Sequence, residues 1–443
     1  MTTRLLAATL MLSAAAITNP AFAFDWRQAE GTEITLLASE HPWTAGVREH
    51  LAEFEALTGI KVNVTAFAED LYLDRANLAI RSEEPVADVF MTLMDAAIYE
   101  QWKVNGVAPL TPYINDAALT DAAWDYADFS PALLQGASFP PGDAAAQQYA
   151  IPISMEAYIL FYNKDLVDAH LGGTLPATWD DLLAGAQKVT DEGAGEVFGS
   201  VMRGQRSGSL VDTMTGIVLN AWGEAEAPLP YNIWFDGAWD KPRFDDPRIA
   251  AGLAHYAGLL KAGPENALSF GWEDASRYFA QGKAAFFVDA SVFGPGFEDA
   301  ANSAVAGKVG YAVLPAVDGV SVSVSGHWAW GLSMAENSQK KTAAWLFMQW
   351  ATSQANDATF GLKTGGATRS STWANPDYVA AFAPGYVEAV SKQLEHTRPT
   401  MVFREGWGEV VLVIVDAIHA IYGGEDPASA VATLQEVAPA VMQ

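Results

Sequence analysis

Glu33-Ile-Thr-Leu-Leu-Ala38 is a short apolar run, and the residues that follow it decide the fold class. Beyond the loop Ser39-Glu40-His41-Pro42-Trp43, Thr44 is placed to cap a helix. Val47, Leu51, Phe54 and Leu57 keep helical spacing, and Gly59 supplies the stop. Ile60, Val62 and Val64 then alternate with Lys61, Asn63 and Thr65, the pattern of a half-buried strand. Val86 to Leu93 is a further apolar strand candidate, followed by Met94-Asp95. Strand, helix, strand, helix and strand in this order predict an α/β domain with a largely parallel sheet. Ligands of such sheets gather at the carboxyl ends of the strands. Two loops sit at those ends, one holding Glu40, His41 and Trp43 and the other Asp95.

Further along the chain the same kinds of signal continue. Tyr149 to Ser154 and Tyr158 to Tyr162 read as strands, and Asn163-Lys164 turns. Thr178-Trp179-Asp-Asp181 opens a helix with a capping box. Trp272 to Gly282 is helical, Ala284 to Asp289 a buried strand and Val309 to Pro315 an edge. Asn337 and Ser338 are placed to cap an apolar helix through Trp345, Phe347, Met348 and Trp350. Val410 to Tyr422 forms a last helix that ends at Gly423-Gly424. Pro- and Gly-rich stretches at 139–142 and 228–247 read as surface connections.

A chain of 443 residues fits two lobes of roughly 150–200 residues each. Its 25 basic against 53 acidic residues leave a net charge of −28, which excludes a general nucleic-acid binder. An anionic membrane surface would repel such a chain as well. With no cysteine, disulfides, thiolate metal sites and cysteine catalysis are excluded. The N-terminus has the order of a secretory signal peptide: Arg4, the apolar stretch Leu5 to Ile17, then the small-residue site Ala21-Phe22-Ala23. Cleavage after Ala23 would leave an exported, soluble protein, most simply in a bacterial periplasm.

No H-E-x-x-H, Walker loop or G-x-S-x-G occurs, and seven scattered histidines show no ligand spacing, so no metal and no cofactor is expected. What stands out is the aromatic content, with 15 Trp and 14 Tyr. Tryptophan offers a flat apolar face beside one hydrogen-bond donor. Sugars and polyols need that pairing: C–H faces to stack, and hydroxyls to meet Asp, Glu, Asn and Arg. Aromatics beside polar residues in loops mark candidates at His41/Trp43, His327/Trp328, Arg404/Trp407 and Trp272/Glu273.

Four segments in order carry a family resemblance. The first is Ile151-Pro-Ile-Ser-Met-Glu156-Ala-Tyr-Ile-Leu-Phe-Tyr-Asn-Lys-Asp165, followed by Pro176-Ala-Thr-Trp-Asp-Asp-Leu182. The second is Gly271-Trp-Glu-Asp274, then Phe279-Ala-Gln-Gly-Lys-Ala-Ala285 running into Asp289-Ala-Ser-Val-Phe293. Trp328-Ala-Trp-Gly-Leu-Ser333 with Lys341-Thr-Ala-Ala-Trp-Leu-Phe347 is the third, and Arg398-Pro399 with Trp407-Gly-Glu409 the fourth. Together they resemble the extracellular solute-binding proteins of bacterial ABC sugar importers, the group that includes maltose-binding protein.

The resemblance implies a type II periplasmic-binding-protein fold, α/β, with two discontinuous lobes joined by a hinge. It places the crossings near 150–156, 327–333 and 376–384. Lobe I would comprise 24–153 plus 330–380, and lobe II 154–329 plus 381–443 with the C-terminal helices. The implied partners are a small-molecule sugar or polyol and the permease subunits of an ABC importer, with a monomer expected. Carried over by position, the ligand-facing residues are Glu40, His41, Trp43, Asp95, Glu156, Arg203, Gln205, Arg206, Asp289, Phe293, His327, Trp328, Arg369 and Trp407. Many members carry tryptophan after the Asp289 strand, where this chain has Val292-Phe293. Local roles compete with these assignments. Arg203 and Arg206 fit surface ion pairs, Asp95 and Asp289 fit turn caps, and Trp407 fits packing under the terminal helix. Two other readings stay open: a polyamine- or cation-binding importer component, and a periplasmic glycosidase with paired carboxylates.

Overall fold

The computed structural model describes residues 24–82, 84–94, 97–141, 143–222, 234–235, 241–320, 322–399 and 406–441. The expected signal peptide, residues 1–23, lies outside the described residues, as does most of the 228–247 connection. The strands are β1 (Glu33–Ser39), β2 (Lys61–Phe67), β3 (Val89–Met94), β4 (Ser138–Phe139), β5 (Gln147–Gln148) and β6 (Ile151–Asn163). They continue with β7 (Phe198–Val201), β8 (Ala284–Ala290), β9 (Val309–Ala312), β10 (Ser325–Met334) and β11 (Thr397–Pro399). Strands β4 and β5 pair with each other, and the other nine form one sheet. Its main path is β2-β1-β3-β10-β6-β8-β7, with β11 beside β10 and β9 beside β6.

The sheet is mixed rather than largely parallel. Strands β1, β2 and β3 run parallel at one end and β7 and β8 at the other. Between them β10 and β6 run antiparallel to each other and to their outer neighbours. The reason is the length of these two strands. One end of β6 pairs β10 through Ile151 to Ala157, and its other end pairs β8 through Tyr158 to Tyr162. Likewise β10 pairs β3 through Ala329 to Met334 and β11 through Ser325 to His327. Both strands therefore belong to the two ends of the sheet at once. The stretch 376–384 makes no strand; it holds the short helix Pro376–Ala380.

Local details depart from the sequence reading where side chains find better partners. The first helix runs Pro42–Thr58, and its cap is His41, whose Nδ1 accepts from the Trp43 amide; Thr44 instead donates to the Ser39 carbonyl. Gly59 ends the helix with φ of 70°, a left-handed conformation that glycine adopts without strain. Leu57 points to solvent, and β3 begins at Val89 because Val86 is exposed. Met155-Glu156 does not interrupt the chain between two strands; β6 passes straight through it. The apolar helix starts at Lys341 rather than after Ser338, whose hydroxyl donates to Asp88. The Thr178 capping box forms as read.

Candidate functional site

The topology makes the carboxyl ends of both parallel groups converge on the middle of β6 and β10. Met94, the last residue of β3, is opposite Ala329, and Ala290, the last of β8, is opposite Tyr158. In an antiparallel pair, opposed residues share a face. Trp328 is opposite Glu156 and Trp330 opposite Ser154, so these four side chains and Tyr158 share one face. Loops from all around end near this part of the sheet. His41 follows β1, Glu69 follows β2 and Arg203 follows β7, while Asp289, near the end of β8, is opposite Ile159 and so on the other face from Tyr158.

His41 and Glu156 meet with their side chains almost fully buried, Nε2 to Oε1 at 3.2 Å. The Trp43 amide can only donate, so His41 Nδ1 is bare and Nε2 carries the proton. The ring is thus neutral in this geometry, and it donates to the Glu156 carboxylate. Its flat face stacks on Trp272 at 6.2 Å and 17°, although Trp272 opens the helix Trp272–Ala280 that leads into β8. Aromatic contacts continue in both directions. Trp272 lies 4.7 Å from Phe293, while His41 is 5.9 Å from Trp330, which meets Trp328 edge-on at 6.2 Å. These rings line a wall that spans both ends of the sheet.

Opposite in chemistry is the Arg203–Asp289 pair. Arg203 Nε and Nη2 donate to the two Asp289 oxygens at 2.9 and 2.5 Å, and Nη1 donates to the Ser209 carbonyl at 2.9 Å. Burial works against the guanidinium's charge. The Asp289 carboxylate outweighs it, with smaller help from Tyr158 and Glu69, and holds Arg203 well above its ordinary range. Glu69 acts on Arg203 from the far end of the sheet, so the charges of the two ends are close enough to interact. The arrangement offers carboxylate acceptors and guanidinium donors beside apolar faces. Such a set can grip a ligand rich in hydroxyls. Among the described residues no group of three or more His, Asp or Glu could hold a metal ion, and no helix is long and apolar enough to cross a membrane.

The expected residues divide clearly. His41, Glu156, Arg203, Asp289, Phe293 and Trp328 come together here. Asp95 lies outside the described residues, and so does Arg404. The structure does not bring the others to the cluster. Glu40 is exposed and forked by Arg48 at 2.8 and 3.0 Å, which holds its carboxyl below the usual range. Trp43 is buried beneath its own helix against Phe360. Gln205 is exposed, and Arg206 pairs with Asp416 on the surface. His327 points away from Trp328 by strand alternation, its Nδ1 2.9 Å from the Thr397 hydroxyl. Trp407 opens the helix Trp407–Tyr422 and is buried against Trp234 and Phe235. Arg369 is wholly buried but binds the Thr352, Asp125 and Trp124 carbonyls and Asp128, lying over the Phe129 ring. It is a structural clamp. Sequence reasoning missed Glu69 and Trp330, whose places after β2 and on the β10 face were the available signal, and it named Trp272 as a candidate aromatic beside Glu273 without carrying it into the ligand-facing set.

The family model for bacterial extracellular solute-binding proteins matches residues 38–358. The chain belongs to that family. Among its relatives, an erythritol/L-threitol-binding protein of Mycolicibacterium smegmatis is 27% identical over 421 residues, covering 93% of this chain and 86% of the relative. A mannitol-binding protein of Pseudomonas aeruginosa is 32% identical over 262 residues, 57% of each chain. The crystal structure of an ABC transporter solute-binding protein from Agrobacterium radiobacter K84, in complex with ribitol, superposes with a TM-score of 0.78. It is 26% identical, and the match covers 93% of this chain and 99% of that one. The architecture is accordingly the type II solute-binding fold, with two lobes on either side of the β6–β10 strands. Members of the family serve as extracellular receptors of ABC importers.

Proposed function

We propose that this protein is the periplasmic receptor of an ABC importer for an acyclic sugar alcohol. The observation that carries the reading is the pairing of an aromatic wall with buried carboxylates at converging strand ends. That pairing stands in a chain whose relatives and structural neighbour bind erythritol, L-threitol, mannitol and ribitol. Glu156 and Asp289 accept from ligand hydroxyls, Arg203 donates to one, and Trp328 and Trp272 face the C–H edges. Asp95 joins them by its place after β3. Buried partners of this kind reject an analogue lacking a hydroxyl, because the protein group would be left unpaired.

In this reading residues 24–153 plus 330–380 form one lobe and 154–329 plus 381–443 the other, after signal-peptide removal at Ala23. The ligand touches both lobes and stabilises the closed arrangement by its differential affinity for it. A monomer then presents the closed form to the permease, and no bond is broken. A polyamine is the second reading, because Glu69, Glu156 and Asp289 outnumber Arg203 among the buried charges here. Thermal unfolding of residues 24–443 against C4–C6 polyols, mono- and disaccharides and polyamines decides between them. A ligand at a thousand times its dissociation constant adds about 4 kcal/mol, a shift of several degrees. A polyol hit supports the proposal, and a hit confined to polyamines or sugars overturns it. Silence across the panel, with turnover of aryl glycosides, would point to a glycosidase instead.

A further inference from the structure

Among the described residues, two buried hydroxyls beside this site have no hydrogen-bond partner: Ser154 Oγ and Thr213 Oγ1. Both residues are shut off from solvent. Buried polar groups are almost always paired, so each such atom calls for a reason. Ser154 is opposite Trp330 and two residues before Glu156, which puts its hydroxyl on the ligand-facing side of β6. Thr213 lies on the helix Leu210–Asn220, three residues before Gly216 and on the same side of that helix. Gly216 faces Tyr158 and the Gly326 amide, the other end of the same strand face. The helix also starts beside Ser209, whose carbonyl holds Arg203. Thus one hydroxyl belongs to the β3 side of the site and the other to the β8 side, with Glu156 and Tyr158 between them.

We propose that Ser154 and Thr213 are ligand-binding residues that take opposite ends of one polyhydroxylated chain. The assignment rests on the polyol reading and deepens it. A hydroxyl both donates and accepts, and a ligand hydroxyl answers both needs. The pair therefore reads chain length and hydroxyl placement, whereas Arg203 and the carboxylates supply the charge-assisted bonds. Two other unpartnered groups share the helix of Thr213. Thr215 Oγ1 is two residues from Thr213 and so on the opposite side, and Asn220 Oδ1 is two turns further from Ser209. Trp179 Nε1 lies beside His255.

Calorimetric titration of Ser154→Ala and Thr213→Val with the polyol that binds the native protein tests this. Each variant should weaken binding about tenfold, while the ligand-free melting temperature stays level or rises, because an unpaired buried hydroxyl has been removed. Each should also discriminate less between that polyol and its terminal deoxy analogue. Unchanged affinity in both variants overturns the proposal, as does a fall in ligand-free stability with discrimination intact. A native protein that binds no polyol overturns the functional reading as well, so the two failures are told apart.

Discussion

All three nitrogens of the Arg203 guanidinium donate inside the protein, two to Asp289 and one to Ser209. A buried pair of this kind gains little net stability over apolar residues of the same size. Removing one partner is another matter, because the remaining charge is stranded out of water, at a cost of ~3–5 kcal/mol. Arg203→Met and Asp289→Leu should each destabilise by about that amount. The double substitution should lose much less than the sum, with a coupling energy of roughly 2 kcal/mol or more in urea unfolding. Additive losses would mean that the pair does not act as a unit. Arg369 shows how the same residue type serves a different end. Its donors go mainly to carbonyls from distant parts of the chain. Nothing in the local sequence Gly365-Gly-Ala-Thr-Arg369 distinguishes that clamp from a ligand contact, since the deciding partners are remote. Glu40 and His41 make the point at one peptide's distance. They are adjacent in sequence, yet one is exposed on Arg48 and the other buried on Glu156.

At the level of elements, the segment after the helix Gln354–Thr364 packs against the linking strand β6 itself. Gly366 accepts from the Met155 amide at 3.0 Å, and a Cβ there would lie 1.9 Å from the Met155 carbonyl oxygen, so only glycine allows the approach. Asp128 fastens the far side of this segment, accepting from the Ser371 amide and hydroxyl, from Arg369 and from Gln354. Burial raises its carboxyl pKa, but these donors together outweigh burial and hold it below the usual range. A carboxyl depressed in the folded state contributes stability that is present above its unfolded pKa, about 4, and lost as the pH falls below it. Asp128→Asn should therefore flatten the loss of stability on acidification from about pH 4 downward, read as unfolding midpoints across that range. An unchanged acid slope would remove Asp128 from the clamp. The same elements show what was legible. Helix Pro42–Thr58 and strands β1 and β2 rest on local periodicity, which a sequence displays directly. The continuity of β6 was hidden because Glu156 breaks the apolar pattern, and it does so to face His41. The His41 cap was hidden for a related reason: a ring nitrogen replaces the usual hydroxyl or carboxylate acceptor.

Across the whole molecule, the two ends of the sheet are linked by β6 and β10 and touch again at the ring pair His41–Trp272. His41 is tied to the β1 end by its cap, whereas Trp272 is tied to the β8 end by Phe293, and His41 also holds Glu156 on the linking strand β6. In the proposed two-lobe arrangement, separating the lobes would break this stack, so it would contribute only to the closed form. An aromatic pair contributes about 0.5–1.5 kcal/mol beyond the area it buries, and open and closed states of such proteins differ by only a few kcal/mol. A contact of this size is therefore enough to move the balance by up to about tenfold. Trp272→Ala should raise the radius of gyration of the ligand-free protein in small-angle scattering and weaken polyol binding through faster release. Saturating ligand should restore the compact form, because ligand contacts to both lobes replace the lost one. Trp272→Phe keeps a ring against His41 and should recover most of the affinity. If Trp272→Ala left both scattering and dissociation unchanged, the stack would be a bystander, and the closing force would lie in other contacts across the same division, such as His41–Glu156 and Tyr386–Gly365.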